Sequence, residues 1–423
     1  MKTWQFGIDN DKLINLVLLG KKTATTSIYD ENDLPIINEE KILIFNNEKK
    51  ACITKTIDFK IMKFKDMTED YARLEGEGDL SLDYWKKVHH DFFKKQNNDF
   101  NEDSLIVFET FKVTKNLVEE RLALTKTIVN NNLDIFKNIQ SIEEINAGFN
   151  NHIFNINNKY IIKICADETK ENLFDIEANF YNKNKDNENI PKLYKYDKSK
   201  TIVPYVYEII EKVNGKSVYY YWYKMNENER ENFIKRLVDI LKQIHKNEYK
   251  SYDWSNHIKE RILSSYNKTK YKFNEEEKNI ILTSLNNYDE ILIDNRFSLI
   301  HNDLHFDNIL LDNKNNIKLI DFNDSIIAPF DYDLRIFYMC VTLPWKWANI
   351  EMDPYQLPKD YINLFNYIKK YYTELNDIKY LNERMIIYFI LNDFELFPEY
   401  TNNELKTRIL ENSKKILEFK KYW

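Results

Sequence analysis

Residues 297–322 read FSLIHNDLHFDNILLDNKNNIKLIDF. A mostly apolar approach, Ser298 to Ile300, delivers His301, Asn302 and Asp303 into a loop. Asn308 follows five residues after Asp303, and two short strands, NILLD and IKLID, then present Asp321. Taken singly, a loop Asp or Asn is a turn-capping side chain. Together, three oxygen-bearing side chains converge at strand ends, which is what phosphoryl transfer needs. One carboxylate orients the acceptor hydroxyl, while an amide oxygen and a second carboxylate hold Mg²⁺, a hard ion that takes oxygen ligands, against the nucleotide phosphates. His301 reads as a residue that holds the loop by hydrogen bonding, and His305 as an exposed one.

The order H-x-D-L-x-x-x-N followed by D-F is that of a protein-kinase catalytic loop, met by His301, Asp303, Leu304, Asn308, Asp321 and Phe322. Asn302 stands where that pattern has Arg, and Asn323 where it has Gly. Both departures argue against a protein kinase controlled through a phosphorylated activation loop. The stretch resembles instead the aminoglycoside phosphotransferase and choline kinase-like family, whose loop has the form H-G-D-x-x-x-x-N followed by I-D-F or I-D-W. Here Asn302 replaces the Gly. PFDYDL at 329–334 loosely matches the family element that buttresses the loop.

The resemblance implies a two-lobed protein-kinase-like fold with Asp303 as catalytic base, Asn308 and Asp321 as Mg²⁺ ligands, and His301 and Asp333 as structural supports. It also implies an upstream lobe that grips ATP or GTP. NAGFNNHIF at 146–154 supplies the phosphate-covering turn with Gly148, Asn150 and Asn151, and YIIKI at 160–164 supplies Lys163 for the α/β-phosphates. Glu177, on the next helix, is the expected ion-pair partner of Lys163. IIEKVNGKSV at 209–218 resembles the family's hinge, where backbone groups near Glu211 and Val213 bind the purine. The implied activity is phosphorylation of a hydroxyl on a small molecule, an aminoglycoside or another antibiotic or metabolite. Asp393, Glu395 and Glu399 are acids that attract a polycation, or else a solvated helix face. The run YYYWY at 219–223 is a lid or stacking surface, or else packing. Beyond about residue 345 the resemblance fades.

The amino-terminal part reads differently. Helix-like stretches at 11–19 and 81–94 alternate with strand-like ones at 41–45, 51–59 and 105–111. LGKKTATTS at 19–27, EGEGD at 75–79, SLDYWKKVHHDFF at 81–93 and the closing strand SLIVFETFKV resemble the ASCH domain, a small β-barrel related to the PUA fold. That resemblance implies a partner that is RNA or a modified nucleoside. Some members hydrolyse the amide of N4-acetylcytidine with a Lys, a Thr and a Glu, which fall on Lys22, Thr25 and Glu75. Thr25 is then the nucleophile, Lys22 eases its deprotonation or steadies the oxyanion, and Glu75 is the acid/base group. The competing reading is a module that binds without turnover. His89 and His90 are adjacent, project differently and make a poor metal pair.

These pieces give an α+β chain with an ASCH-like β-barrel at 1–113, a helical connector at 114–138 and a kinase-like domain at 139–423. The smaller lobe of that domain is expected at about 139–211 and the larger, helical one at about 217–423. In ERENFIKRLVDILKQIHK, Phe233, Leu237, Ile240, Leu241 and Ile244 repeat with helical period. The net charge of -7 excludes a strongly basic nucleic-acid wrapper, and a hydrophobic content of 43% excludes a disordered chain. Three scattered cysteines support neither a disulfide framework nor a zinc site and suit a reducing compartment. No apolar run approaches the roughly 20 residues of a membrane span, so a cytoplasmic protein without a membrane partner is expected.

Overall fold

The computed structural model describes residues 1–145, 151–293, 296–399 and 402–419. The strands are β1 (Thr3–Trp4), β2 (Ala24–Ile28), β3 (Glu40–Ile44), β4 (Lys50–Lys63), β5 (Leu105–Asn116), β6 (Ile142–Ile145), β7 (Asn151–Ile156) and β8 (Tyr160–Cys165). They continue with β9 (Leu193–Asp197), β10 (Tyr207–Glu211), β11 (Gly215–Ser217), β12 (Phe297–Ile300), β13 (Ile309–Asp312), β14 (Ile317–Leu319) and β15 (Ile326–Pro329). Two compact units emerge: Met1–Asn155 with Ile162–Ala166 and Ser199–Tyr205, and the remainder of the chain.

In the first unit, β1 to β5 form one sheet in the order β1-β3-β4-β5-β2. The edge strands β1 and β2 do not pair with each other, so among the described residues the sheet is open where a closed barrel was expected. The helices Asn10–Leu18 and Leu82–Gln96 each bury one face in a separate apolar cluster, the former with Leu13, Ile14 and Val17, the latter with Trp85 and Phe93. Helix Leu117–Asn130 follows β5, capped by the Asn116 side chain, which accepts the Glu119 N–H.

Arg121 of that helix grips β6. Its Nε and Nη2 donate to the two carboxylate oxygens of Glu144 at 2.9 and 3.1 Å, and its Nη1 donates to the Lys50 carbonyl at the start of β4. Lys49 Nζ donates to the Ile145 carbonyl at 2.8 Å. The hairpin between β3 and β4, the connecting helix and β6 are thereby tied within one unit.

Strands β6 to β10 form a second five-stranded sheet, β6-β7-β8-β10-β9. The other unit holds the three-stranded sheet β11-β13-β14, the antiparallel pair β12 and β15, and a large helical core. Helix Glu227–Ile244 opens with a reciprocal cap between Asn226 and Glu229 and buries Phe233, Leu237, Ile240, Leu241 and Ile244, the face its spacing specifies. Of the two readings of the run at 219–223, packing holds for Tyr219 and Trp222, which are fully buried. Among the described residues no helix is long and apolar enough to cross a membrane.

Candidate active site

β12, buried along its whole length, carries the chain into the loop 301–308, and the hairpin β13–β14 brings it back to Asp321. At Asn302 the backbone is left-handed, with φ 69°, a conformation Asn tolerates better than most residues with a Cβ. The loop is nailed from below by Asp333. One of its carboxylate oxygens accepts the Asn302 N–H at 2.7 Å; the other accepts the His301 N–H at 3.1 Å and faces His245 Nε2 at 2.9 Å. Full burial pushes the Asp333 carboxyl up, but the His245 bond and the neighbouring histidines outweigh it and hold the group below the ordinary carboxylate range. His301 is buried as well: its Nε2 lies 3.0 Å from the Ile320 carbonyl and its Nδ1 accepts the Asp303 N–H at 3.4 Å. That places the proton on Nε2 and makes His301 a strut between the two halves of the loop.

Asp303 sits at the loop's open side. Asn308 Nδ2 donates to its carbonyl at 2.9 Å and to its Oδ2 at 3.2 Å. His305, expected to be exposed, is turned onto the same oxygen, with Nε2 3.3 Å from Asp303 Oδ2. The Asp307 N–H donates to His305 Nδ1, which assigns the imidazole proton to Nε2, facing Asp303. Burial works to raise the Asp303 carboxyl; the His305 bond, with the charges of His305, His301 and Arg335, wins and lowers it. Arg335 reaches the same loop through Nη2, which donates to the Asn302 carbonyl at 2.7 Å.

Asp321 has a left-handed backbone, φ 65°, and the Ile320 N–H before it donates to the Asn308 carbonyl at 3.0 Å. Asp324 completes the cluster. Its carboxyl is pushed up by burial and by the negative charges of Asp303 and Asp321. The Asn308 nitrogen is committed to Asp303, which leaves its amide oxygen, and Asp321 adds a carboxylate one residue beyond the Ile320 N–H bonded to the Asn308 carbonyl. Both are the hard oxygen donors that a divalent cation such as Mg²⁺ takes.

Of the residues expected to hold the nucleotide, Gly148 and Asn150 lie outside the described residues. Asn151 opens β7, and Lys163 is buried on β8. Glu177 is buried on the helix Glu171–Lys183, where it accepts the Tyr181 hydroxyl at 2.9 Å. Glu211 ends β10, its N–H on the Lys192 carbonyl, and the Lys212 N–H before Val213 donates to the Lys159 carbonyl.

In the first unit, Lys22 is buried with its ammonium 2.6 Å from Glu75 Oε2 and 2.6 Å from Glu77 Oε1. Burial lowers the Lys22 ammonium, yet the two carboxylates prevail and raise it; burial likewise raises Glu75, but Lys22 and His89 leave it lowered. Glu75 Oε1 accepts the Trp85 indole N–H at 3.2 Å and the hydroxyl of Thr26, not Thr25, at 2.5 Å. Both threonines line a recess beside Glu75 and Glu77, and an adjoining cleft of about 530 Å³ walled by Trp4, Phe6 and Phe92. Glu75, Glu77 and His89 are near enough to one another to bind a metal, but the Lys22 ammonium already supplies positive charge to both carboxylates. Gly76 is forced here by packing: φ is 69°, and a Cβ would stand 2.2 Å from the Lys21 carbonyl.

A model of the phosphotransferase enzyme family matches residues 141–353. The chain belongs to the phosphotransferase enzyme family. A model of the ASCH domain matches residues 2–115, so this phosphotransferase carries an amino-terminal ASCH domain. No curated protein matches the chain. Solved structures similar to it include the ADP-bound aminoglycoside phosphotransferase APH(2″)-Ib, at 16% identity and TM-score 0.50 over 69% of this chain and 98% of that one. The streptomycin–ATP complex of APH(2″)-IIa is similar too, at 14% identity and TM-score 0.50 over 69% and 97%. An ASCH domain from Lactobacillus crispatus JV V101 shares 28% identity, with TM-score 0.26, over 27% of this chain and 79% of its own.

The fold neighbours place the phosphotransferase region in a kinase-like fold. Within it, Asp303 and Asn308 meet through a hydrogen bond, while the sequence pattern read His305 as exposed and did not single out Asp324, Arg335 or His245. His305 was findable, since an imidazole two residues from a loop carboxylate is within side-chain reach. His245 was not, because it meets Asp333 from 88 residues away.

Proposed function

We propose that this phosphotransferase moves the γ-phosphate of ATP or GTP to a hydroxyl of a small molecule, with Asp303 as the hydroxyl-orienting base and Asn308 and Asp321 as the Mg²⁺ ligands. The observation that carries the reading is the Asp303 carboxylate held by Asn308 and His305 beside Asp321 and Asp324. When bound, Mg²⁺ neutralises charge on the phosphates. Asp303, kept ionised by His305, accepts the acceptor's O–H, aims the oxygen and takes its proton as the bond to phosphorus forms. Lys163 meets the α- and β-phosphates, Glu177 steadies Lys163, and Asn151, at the start of β7, contacts the phosphates as well. Backbone groups near Glu211 and Val213 meet the purine. Label from γ-labelled ATP or GTP is expected to pass to a small-molecule acceptor with Mg²⁺ present and to stop when a chelator removes it. Transfer that persists at full rate under chelation overturns the metal assignment.

A second activity is favoured by the buried Lys22–Glu75 pair, whose Glu75 lines a recess shared with Thr25 and Thr26. We infer that the ASCH domain takes a modified nucleoside and cleaves its amide. The cleft suits an uncharged flat base better than an RNA strand, because its only cations, Lys2 and Lys41, both lie against Glu39, and Asp33 and Glu109 add negative charge. Thr26 competes with Thr25 for the nucleophile's role, since its hydroxyl already meets Glu75. Incubation with N4-acetylcytidine is expected to release acetate, with Thr26→Val losing more than a hundredfold. An intact nucleoside after prolonged incubation removes the hydrolase reading. Equal activity of Thr26→Val and wild type returns the role to Thr25.

A further inference from the structure

Two of the acids that sequence reading offered to a polycation are already spent. Asp393 is fully buried and takes both Nε and Nη2 of Arg408, at 2.6 and 2.8 Å, and Glu395 Oε1 takes the same two nitrogens of Arg261. A carboxylate held by a guanidinium has little attraction left for a second cation. The Arg408 charge is neutralised in turn, and its guanidinium lies 5.2 Å from the centre of the Phe389 ring.

Arg408 and Phe389 also line a cavity of about 360 Å³, within the size range of small-molecule sites. Three of its walls belong to helices beyond residue 353, where the phosphotransferase match ends: Leu364–Tyr371, Leu381–Leu396 and Asn403–Glu418. The last of these presents Arg408, Asn412 and Lys415, at i, i+4 and i+7, along one face. Helix Arg335–Cys340 and the two residues after it form the fourth wall. Neither the loop 301–308 nor Asp321 or Asp324 lines the cavity, so it is separate from the site around Asp303.

Its surface is divided between apolar and polar groups. Val341, Phe365, Ile386 and Phe389 supply the apolar part. Among the polar residues, Asn412 is only 5% exposed, although Asn is a poor choice for the interior of a helix. Lys415 Nζ donates to Asn412 Oδ1 at 3.1 Å, which fixes the amide's orientation. Nδ2 then has no protein partner, and it is not sealed off as a buried atom would be, so its open side faces the cavity. Buried amide donors are almost always satisfied. Lys369, half-buried on the wall opposite the sequence run of Asn412, makes neither a hydrogen bond nor an ion pair among the described residues. With Arg408 neutralised by Asp393, Lys369 and Lys415 face one acid, Glu411, and the lining carries a single net positive charge. Such a lining suits a monoanion with an apolar body better than a dianion or a cation.

We propose that this cavity binds a small monocarboxylate, with its carboxylate on Lys369 and Asn412 Nδ2 and its apolar body against Phe365, Ile386 and Phe389. The site lies outside the phosphotransfer chemistry and does not rest on the reading of Asp303.

The test is ligand-observed NMR titration of the full chain with phenylacetate, octanoate, phenylacetamide and phenethylamine. Phenylacetate, octanoate or both are expected to bind at least about tenfold more tightly than the neutral amide and the amine. The first carboxylate reports a flat body and the second a flexible one. Lys369→Met and Asn412→Asp are each expected to weaken carboxylate binding by about tenfold, the one by removing the cation and the other by setting a negative charge where the donor stood. Should Asn412→Asp fail to fold, Lys369→Met, at a half-buried position without bonds to lose, decides alone. Asp303→Asn is expected to leave the affinity within about twofold. No binding of either carboxylate, equal binding of the amide or the amine, or undiminished affinity in Lys369→Met overturns the proposal. A tenfold loss in Asp303→Asn puts the anion in the catalytic cleft, which overturns this site and leaves the phosphotransferase reading standing.

Discussion

Asp303→Asn is expected to keep nucleotide binding and to lower phosphate transfer by about a hundred- to ten-thousand-fold. The substitution preserves shape, so the loop stays in place through contacts that do not involve the Asp303 carboxylate: Asp333 on the His301 and Asn302 N–H groups, and Arg335 on the Asn302 carbonyl. What it removes is the charge that, on the proposed role, receives the acceptor's proton, and the acceptor-only oxygen that faces His305 and Asn308. An amide there sets its own N–H groups against two existing donors, so Asp303→Ala is the companion variant that lacks this conflict. Both are compared by transfer of labelled γ-phosphate at saturating nucleotide, with nucleotide affinity measured separately. Transfer within tenfold of wild type in both variants removes Asp303 from the chemistry.

Arg384→Met is expected to be the most damaging single change to the helical core, costing about 3–5 kcal/mol. Arg384 is fully buried; Nε and Nη2 donate to Asp331 at 2.8 and 2.9 Å, and Nη1 donates to the Ile293 carbonyl at 3.0 Å. Tyr388 joins the same carboxylate, and the Trp254 indole N–H closes the network on the Tyr388 hydroxyl at 3.1 Å. Without the guanidinium, Asp331 is left as a buried charge held by one hydroxyl. Denaturant unfolding of the full chain, followed by tryptophan fluorescence, reads the loss. A loss below about 1 kcal/mol contradicts the account, while Arg384→Met combined with Asp331→Leu is expected to recover much of the stability, since it removes both charges together.

The parts that were legible in the sequence are those whose residues lie close along the chain. The loop from His301 to Asp321 carries its chemistry within one hairpin, and its spacing survives folding intact. Helix Glu227–Ile244 announces itself by its apolar period and its Asn226 cap. The residues that sequence reading missed are joined by long-range packing. His245 and Asp333 meet only because a helix and a buttress turn share one core. The hydroxyl bond to Glu75 depends on which way β2 faces, and neighbouring residues of a strand point to opposite sides, so Thr25 and Thr26 could not be told apart beforehand. Closure of the amino-terminal sheet is likewise a question of which edges meet, which alternation along a strand does not encode.

The grip on β6 bears on how such a chimera could have been assembled. The region matched by the ASCH family ends at residue 115 and that matched by the phosphotransferase family begins at 141, yet Arg121 lies between them, reaching back to the Lys50 carbonyl and forward to Glu144. An exchange of the amino-terminal module for a foreign one has to bring along a matching lysine, a matching carbonyl and a matching arginine, or leave the incoming strand without its clasp. The junction is thus a heritable unit in its own right, and recombination should respect it.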